Sequence, residues 1–239
     1  MHPFLKTTHT PALLFLALAL TISSCGGSNN GDNITLRDDR DRSSYTVGVN
    51  IGENFRSGYV DVDPDIVARG IRDALEGREF LMTEQEMLDA MNTLQLAVQE
   101  RYQGILDENL RTSTDFIITN AAREGVVTLP DSLQYEVLAE GSGQVPTLAD
   151  TVRVHYHGTL IDGTVFDSSV ERGEPVEFCV DQVIPGWTEI LQIMPVGSKW
   201  RVFIPPDLGY GVSPTSTIPP NSLLTFEIEL IDVRKPAGS

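Results

Sequence analysis

Val152-Arg-Val-His-Tyr156-His-Gly158 is the stretch whose reading decides the fold. Val152, Val154 and Tyr156 alternate with Arg153, His155 and His157, and a period of two marks a strand that turns one face to a core. The same alternation recurs at Leu133, Tyr135 and Val137 and again at Phe226, Ile228 and Leu230. Shorter runs at Val176 to Val180 and Lys199 to Ile204 complete an expected antiparallel sheet over residues 126–236. Within it, Trp187-Thr-Glu-Ile-Leu-Gln-Ile193 reads as a short helix ending before the turn Pro195-Val-Gly197. A helix packed on such a sheet gives an α+β domain.

Upstream, residues 43–125 carry helical spacing instead. Ser44 is placed to cap a helix through Tyr45, Val49 and Phe55, and Asp63-Pro64 offers an N-cap followed by proline at the first helical position. Ile66, Val67, Gly70, Ile71, Ala74 and Leu75 form one face, which Gly77 can end. Asp61-Val-Asp63-Pro-Asp65 lacks the glycine and terminal glutamate of a calcium loop, so it reads as a helix start. Thr83-Glu-Gln-Glu86 has the capping-box pattern. Met87, Met91, Leu94, Val98, Tyr102 and Ile105 then predict one long helix. Gly104 and the polar Arg111 to Asp115 leave open a division into two ordinary helices.

The first 24 residues are expected to be removed. Pro11 to Ile22 is an apolar run too short to span a bilayer, and Ile22-Ser-Ser-Cys25 resembles a bacterial lipobox. Acyl chains on Cys25 would anchor the mature chain. Residues 25–42 read as a flexible tether, and the expected location is the cell envelope, at the periplasmic side of the outer membrane. Cys179 is then left as a small buried strand residue, with no nucleophilic setting in sequence.

The net charge of −17 excludes a nucleic-acid partner, because neutralising phosphates needs a basic surface. No serine elbow, phosphate loop or dinucleotide fingerprint is present. His155 and His157 share a strand face, but without a third ligand nearby they read as solvated residues and no metal is expected. Tyr156, Phe166, Trp187, Tyr210 and Phe226 therefore lead as candidates for an apolar binding site, with a plain core as the alternative for Phe226.

These residues carry a specific resemblance. Val-His-Tyr156, Phe166-Asp167-Ser-Ser, Val183-Ile184-Pro-Gly-Trp187, Tyr210-Gly, Ile218-Pro-Pro and Phe226-Glu-Ile-Glu-Leu occur in the order that resembles the FKBP-type peptidyl-prolyl cis-trans isomerases. The helices before them resemble the dimerising N-terminal region of the macrophage infectivity potentiator type. The resemblance implies a curved sheet wrapped over a short helix in residues 126–236, and a homodimer through residues 43–125. It implies a cleft in which Tyr156, Phe166, Val183, Trp187, Ile218 and Phe226 bind substrate, with Trp187 at the floor. Asp167, Tyr210 and Ile184 take the catalytic roles, the last through its backbone N–H. No cofactor is needed. The implied substrates are proline-containing unfolded or nascent chains, and macrolides such as tacrolimus and rapamycin are the implied inhibitors. A non-catalytic chaperone that grips unfolded chains is the reading of another class. Two departures from the family pattern stand out: Val176 occupies the place of a common aromatic wall residue, and the loop from Tyr210 to Pro219 is short and without histidine.

Overall fold

The computed structural model describes residues 34–235. The signal segment, Cys25 and the tether as far as residue 33 lie outside the described residues. The chain divides into two compact units, Met1–Gly48 and Val49–Ser239. Helix α1 spans Asp39–Ser57. It begins earlier than the expected start near Ser43, because Asp38 rather than Ser44 supplies the cap: the Asp41 N–H donates to Asp38 Oδ1 at 2.8 Å. Ser44 lies inside the helix and donates to the Arg40 carbonyl at 2.8 Å.

Helix α2, Pro64–Glu76, starts as Asp63-Pro64 dictates. The Asp63 side chain accepts from the N–H groups of Asp65 and Ile66, and Gly77 closes the helix at φ 64°. Helix α3 is a single run of 37 residues, Glu84–Asn120, opened by the reciprocal capping box of Thr83 and Glu86. The polar segment that left its continuity open stays helical because Arg111 pairs with Glu108 at 2.6 Å and with Asp115 at 3.2 Å, one turn to either side.

Seven antiparallel strands follow: β1 Val126–Thr128, β2 Gln134–Ala139, β3 Thr151–Thr159, β4 Val165–Ser168, β5 Val176–Cys179, β6 Lys199–Ile204 and β7 Leu224–Arg234. Their order is β1-β2-β6-β7-β3-β4, with β5 also pairing with β3. Register shifts at Arg153/Val154 and Gly158/Thr159 mark bulges, which bend a strand and increase its twist. Helix α4, Ser169–Arg172, joins β4 towards β5, and α5, Pro185–Leu191, covers the apolar face of the sheet with Trp187, Ile190 and Leu191. Val152, Val154, Tyr156, Phe226, Ile228 and Leu230 meet them from the strands, as the period of two requires.

Two strand positions differ from the sequence reading. In β2 the fully buried residue is Gln134, while Val137 is exposed. Gln134 Nε2 donates to the Ile117 carbonyl at 2.8 Å and its Oε1 accepts from Asn120 at 2.8 Å, so α3 covers the side of β2 that alternation alone assigns to water. In β5, Val176 and Phe178 take the inward positions, and alternation then turns Cys179 outward, exposed rather than buried.

Candidate active site

Gly158 shapes the cleft first. A Cβ there would lie 2.7 Å from two Phe166 ring atoms and 2.9 Å from a Phe226 ring atom, so only glycine lets both rings come this close to β3. Phe166 and Phe226 meet edge to face at 5.3 Å, and Phe226 meets Trp187 at 5.2 Å. Trp187 is also edge-on to Tyr156 at 5.5 Å and to Phe178 at 5.6 Å. Edge-to-face contacts of this kind contribute about 0.5–1.5 kcal/mol each beyond area burial, and they fix the ring planes. Around these rings opens a cleft of about 500 Å³.

All nine residues singled out from the sequence line this one cleft: Tyr156, Phe166, Asp167, Val183, Ile184, Trp187, Tyr210, Ile218 and Phe226. Others join them that the sequence reading missed. Phe178 supplies an aromatic wall; it lies two residues beyond Val176, on the same strand face. Gln182 and the loop tip Thr215–Thr217 complete the rim. Arg172 approaches from α4, and five residues of separation across a strand-to-helix junction give no periodic signal that would have linked it to Asp167.

Asp167, Tyr156 and Arg172 form a closed ring of hydrogen bonds. The Tyr156 hydroxyl donates to Asp167 Oδ2 at 2.5 Å, Arg172 Nη2 donates to the Tyr156 oxygen at 2.8 Å, and Arg172 Nη1 donates to Asp167 Oδ1. Burial alone would raise the Asp167 carboxyl, but the bonds from Tyr156 and Arg172 outweigh it and leave the group below the usual aspartate value. Burial, followed by the bond to Asp167, pushes the Tyr156 phenol up. One fixed negative charge thus sits at the edge of an apolar cleft, balanced by one arginine. The two serines after Asp167 hold this arrangement. Ser168 Oγ caps α4 by accepting from the Glu171 N–H at 3.2 Å, and the buried Ser169 Oγ accepts from the Tyr156 N–H at 2.8 Å.

Pro185 at the start of α5 leaves the preceding Ile184 extended, at φ −59° and ψ 148°, at the mouth of the cleft. Among the described residues neither the Ile184 N–H nor the Tyr210 hydroxyl has a hydrogen-bond partner. Two donors are therefore left for a bound chain. His155 and His157 lie on the opposite strand face, where their Nδ1 atoms pair with Ser169 and Ser168 at 3.2 and 3.0 Å. No cluster of metal-ligating residues is found among the described residues.

The family model for FKBP-type peptidyl-prolyl cis-trans isomerase matches residues 143–231, and that for the domain amino terminal to it matches residues 40–137. The chain belongs to the FKBP-type peptidyl-prolyl cis-trans isomerases. It is 40% identical over 233 residues to the outer membrane protein MIP of Legionella longbeachae, covering 95% of this chain and 97% of the relative. With the isomerase FkpA of Aeromonas hydrophila it shares 39% identity over 209 residues, covering 83% and 78% of the two chains. The crystal structure of FkpA from Escherichia coli superposes with a TM-score of 0.63 at 35% identity, over 85% of this chain and 100% of that one. The α+β architecture, helices followed by an antiparallel sheet holding a helix, is that of the FkpA structure. The reaction of this isomerase is rotation about X-Pro peptide bonds. Such a bond resists rotation by about 18–20 kcal/mol because the nitrogen lone pair is delocalised into the carbonyl. Twisting it removes that delocalisation and much of the amide's charge separation. An apolar aromatic surface favours the twisted state over the planar one, and such a difference is what lowers a barrier.

Proposed function

We propose that the cleft takes the proline ring of unfolded or newly exported chains and that the protein serves as a folding catalyst in the cell envelope. The observation that carries this is the convergence of Trp187, Phe226, Val183 and Ile184 on one apolar cleft with a single fixed carboxylate at its edge. Trp187 forms the floor under the ring, with Phe178, Phe166 and Phe226 as walls. The Ile184 N–H and the Tyr210 hydroxyl orient substrate carbonyls. Asp167 fixes the Tyr156 phenol and supplies a negative potential beside the twisting amide. No group needs to exchange a proton. X-Pro isomerisation takes tens to hundreds of seconds unaided, slow enough to limit folding.

The test is acceleration of cis-trans exchange in Phe-Pro and Leu-Pro peptides by the full-length protein purified in detergent. The pH profile belongs to the same test. Asp167 is held below its ordinary value, so its charge is present above about pH 4 and lost only as pH falls through the lowered value. Tyr156 is held above its ordinary value. Neither titrates near neutrality, and kcat/KM is expected to stay within twofold between about pH 5.5 and 8. A bell centred near neutral pH would point instead to general acid-base chemistry.

The same reading extends to assembly. Helix α2 has an apolar face of helical period, yet its only buried residue is Asp73. Ile66, Leu75 and Leu81 stay 69%, 83% and 78% exposed, and Met87, Leu88 and Met91 at the start of α3 are exposed beside them. Monomers rarely present so many large apolar side chains together. A second copy of the chain is the occupant, which makes residues 43–125 a dimer contact, and lipid at Cys25 holds the pair at the outer membrane. Sedimentation at micromolar concentration is expected to give twice the chain mass. Leu75→Glu with Leu81→Glu shifts the protein to the monomer while leaving the isomerase cleft unchanged, and an already monomeric wild type would refute the contact.

A further inference from the structure

The loop from Tyr210 to Leu223 carries five residues of the cleft, Tyr210, Thr215, Ser216, Thr217 and Ile218, and no strand pairing supports it. It makes six hydrogen bonds within itself. The Asn221 N–H donates to the Gly211 carbonyl at 2.7 Å and closes the base, and the Thr215 N–H donates to the Ile218 carbonyl at 2.9 Å and closes the tip. Gly211 also bonds back to the Pro206 carbonyl and Ile218 packs into the core, and five further hydrogen bonds join the loop to α3. Tyr102 Oη donates to the Val212 carbonyl at 2.8 Å, and Asn109 Nδ2 donates to the Pro220 carbonyl at 2.8 Å. Ser113 Oγ bridges the far end, donating to the Asn221 carbonyl at 2.9 Å and accepting from the Leu223 N–H at 3.0 Å. In return, Asn221 Nδ2 donates to the Leu106 carbonyl at 3.1 Å.

Ser113 and Asn221 are only 2% and 7% exposed, so these bonds are made away from water, where an unpaired group is costly. Asn221 also sits at φ 53°, a left-handed conformation that its bond to α3 compensates. Beside the contact runs a cleft of about 240 Å³ between Asn109, Ser113, Leu160, Pro219 and Leu223. Leu223 is fully buried beside it, and the hydrogen bonds tie the loop backbone to α3. We propose that the second half of α3 is a positioning element of the isomerase site, in which Tyr102, Asn109 and Ser113 fix the Tyr210–Ile218 wall of the cleft. The inference rests on the isomerase reading, and none of these three residues lines the cleft. It makes the helical region part of the catalytic apparatus and not only a connector.

The experiment is Asn109→Ala combined with Ser113→Ala in the full-length protein, with Tyr102→Phe as a milder companion that removes one hydroxyl. The double variant is expected to lower kcat/KM about tenfold, mainly through a raised KM. Amide exchange should quicken in residues 210–223 while β3 and β7 keep wild-type protection. For Tyr102→Phe a loss of about threefold is expected, with faster exchange confined to the same loop. Should the double variant fail to fold, Tyr102→Phe and Asn109→Ala alone decide the matter by the same two measurements. Wild-type kcat/KM together with wild-type loop exchange in the folded variants overturns the proposal. A wild-type protein that does not accelerate isomerisation would instead sink the isomerase reading, and loop exchange in the variants would still decide whether α3 holds the loop.

Discussion

Phe226→Ala is expected to lower the stability of the protein by about 3–5 kcal/mol, the range for removing a well-packed buried phenylalanine. Phe226 is 5% exposed near the start of β7, paired with Val202 of β6 on one side and Gly158 of β3 on the other. Its ring contacts Trp187, Phe166 and Tyr156 at 5.2, 5.3 and 6.4 Å. Because Gly158 has no side chain to swing into the space, the strand beneath offers nothing to refill the hole. Urea unfolding should show a lower midpoint with an unchanged slope, since the surface exposed on unfolding is nearly the same. Activity falls as well, because Phe166 and Trp187 each lose an edge-to-face partner; a reduction of kcat/KM beyond tenfold is expected. A loss of less than about 1 kcal/mol would mean that the neighbouring rings collapse into the site, contrary to the packing described.

Asp167→Ala is the second large effect. The substitution removes the acceptor of the Tyr156 hydroxyl and the partner of Arg172 together, and leaves a lone positive charge at the edge of the cleft. A fall in kcat/KM of at least tenfold, about 1.4 kcal/mol of barrier, is expected. Asp167→Asn separates the two contributions. It keeps an oxygen that can accept from Tyr156 but loses the charge, so a smaller loss than alanine would assign part of the effect to geometry. Equal losses would assign it to the charge alone. If both variants retain wild-type turnover, the carboxylate has no part in catalysis and the ring of hydrogen bonds is structural.

Much of this molecule can be read from its residues because each local signal had only one partner to satisfy. Asp63-Pro64 and Thr83-Glu-Gln-Glu86 cap helices through bonds made within four residues, and β3 and β7 have one face on a single core. The reading fails where a segment answers to something distant. Gln134 is buried because α3 covers β2, a fact held in Asn120 and Ile117 rather than in the strand. Cys179 follows the phase set by Phe178, and that phase depends on which strand face meets Trp187. The full set of nine cleft residues was legible only through the order of the family's motifs, whereas Arg172, Phe178 and the contacts of α3 with the loop are relations between elements. Asp38 displaced Ser44 as the cap of α1 because both residues are competent and only the position of the first turn chooses between them.

The unbroken course of α3 has a mechanical consequence. From Glu84 to Leu106, where the loop is attached, the helix spans about 33 Å at 1.5 Å per residue. It contains Gly104 without a break and therefore behaves as a rod. A tilt of about 10° at the Glu84 end then carries the cleft sideways by about 6 Å, nearly the length of two extended residues. Small angular play at one end becomes, at the other, a displacement comparable to the width of the cleft's own rings.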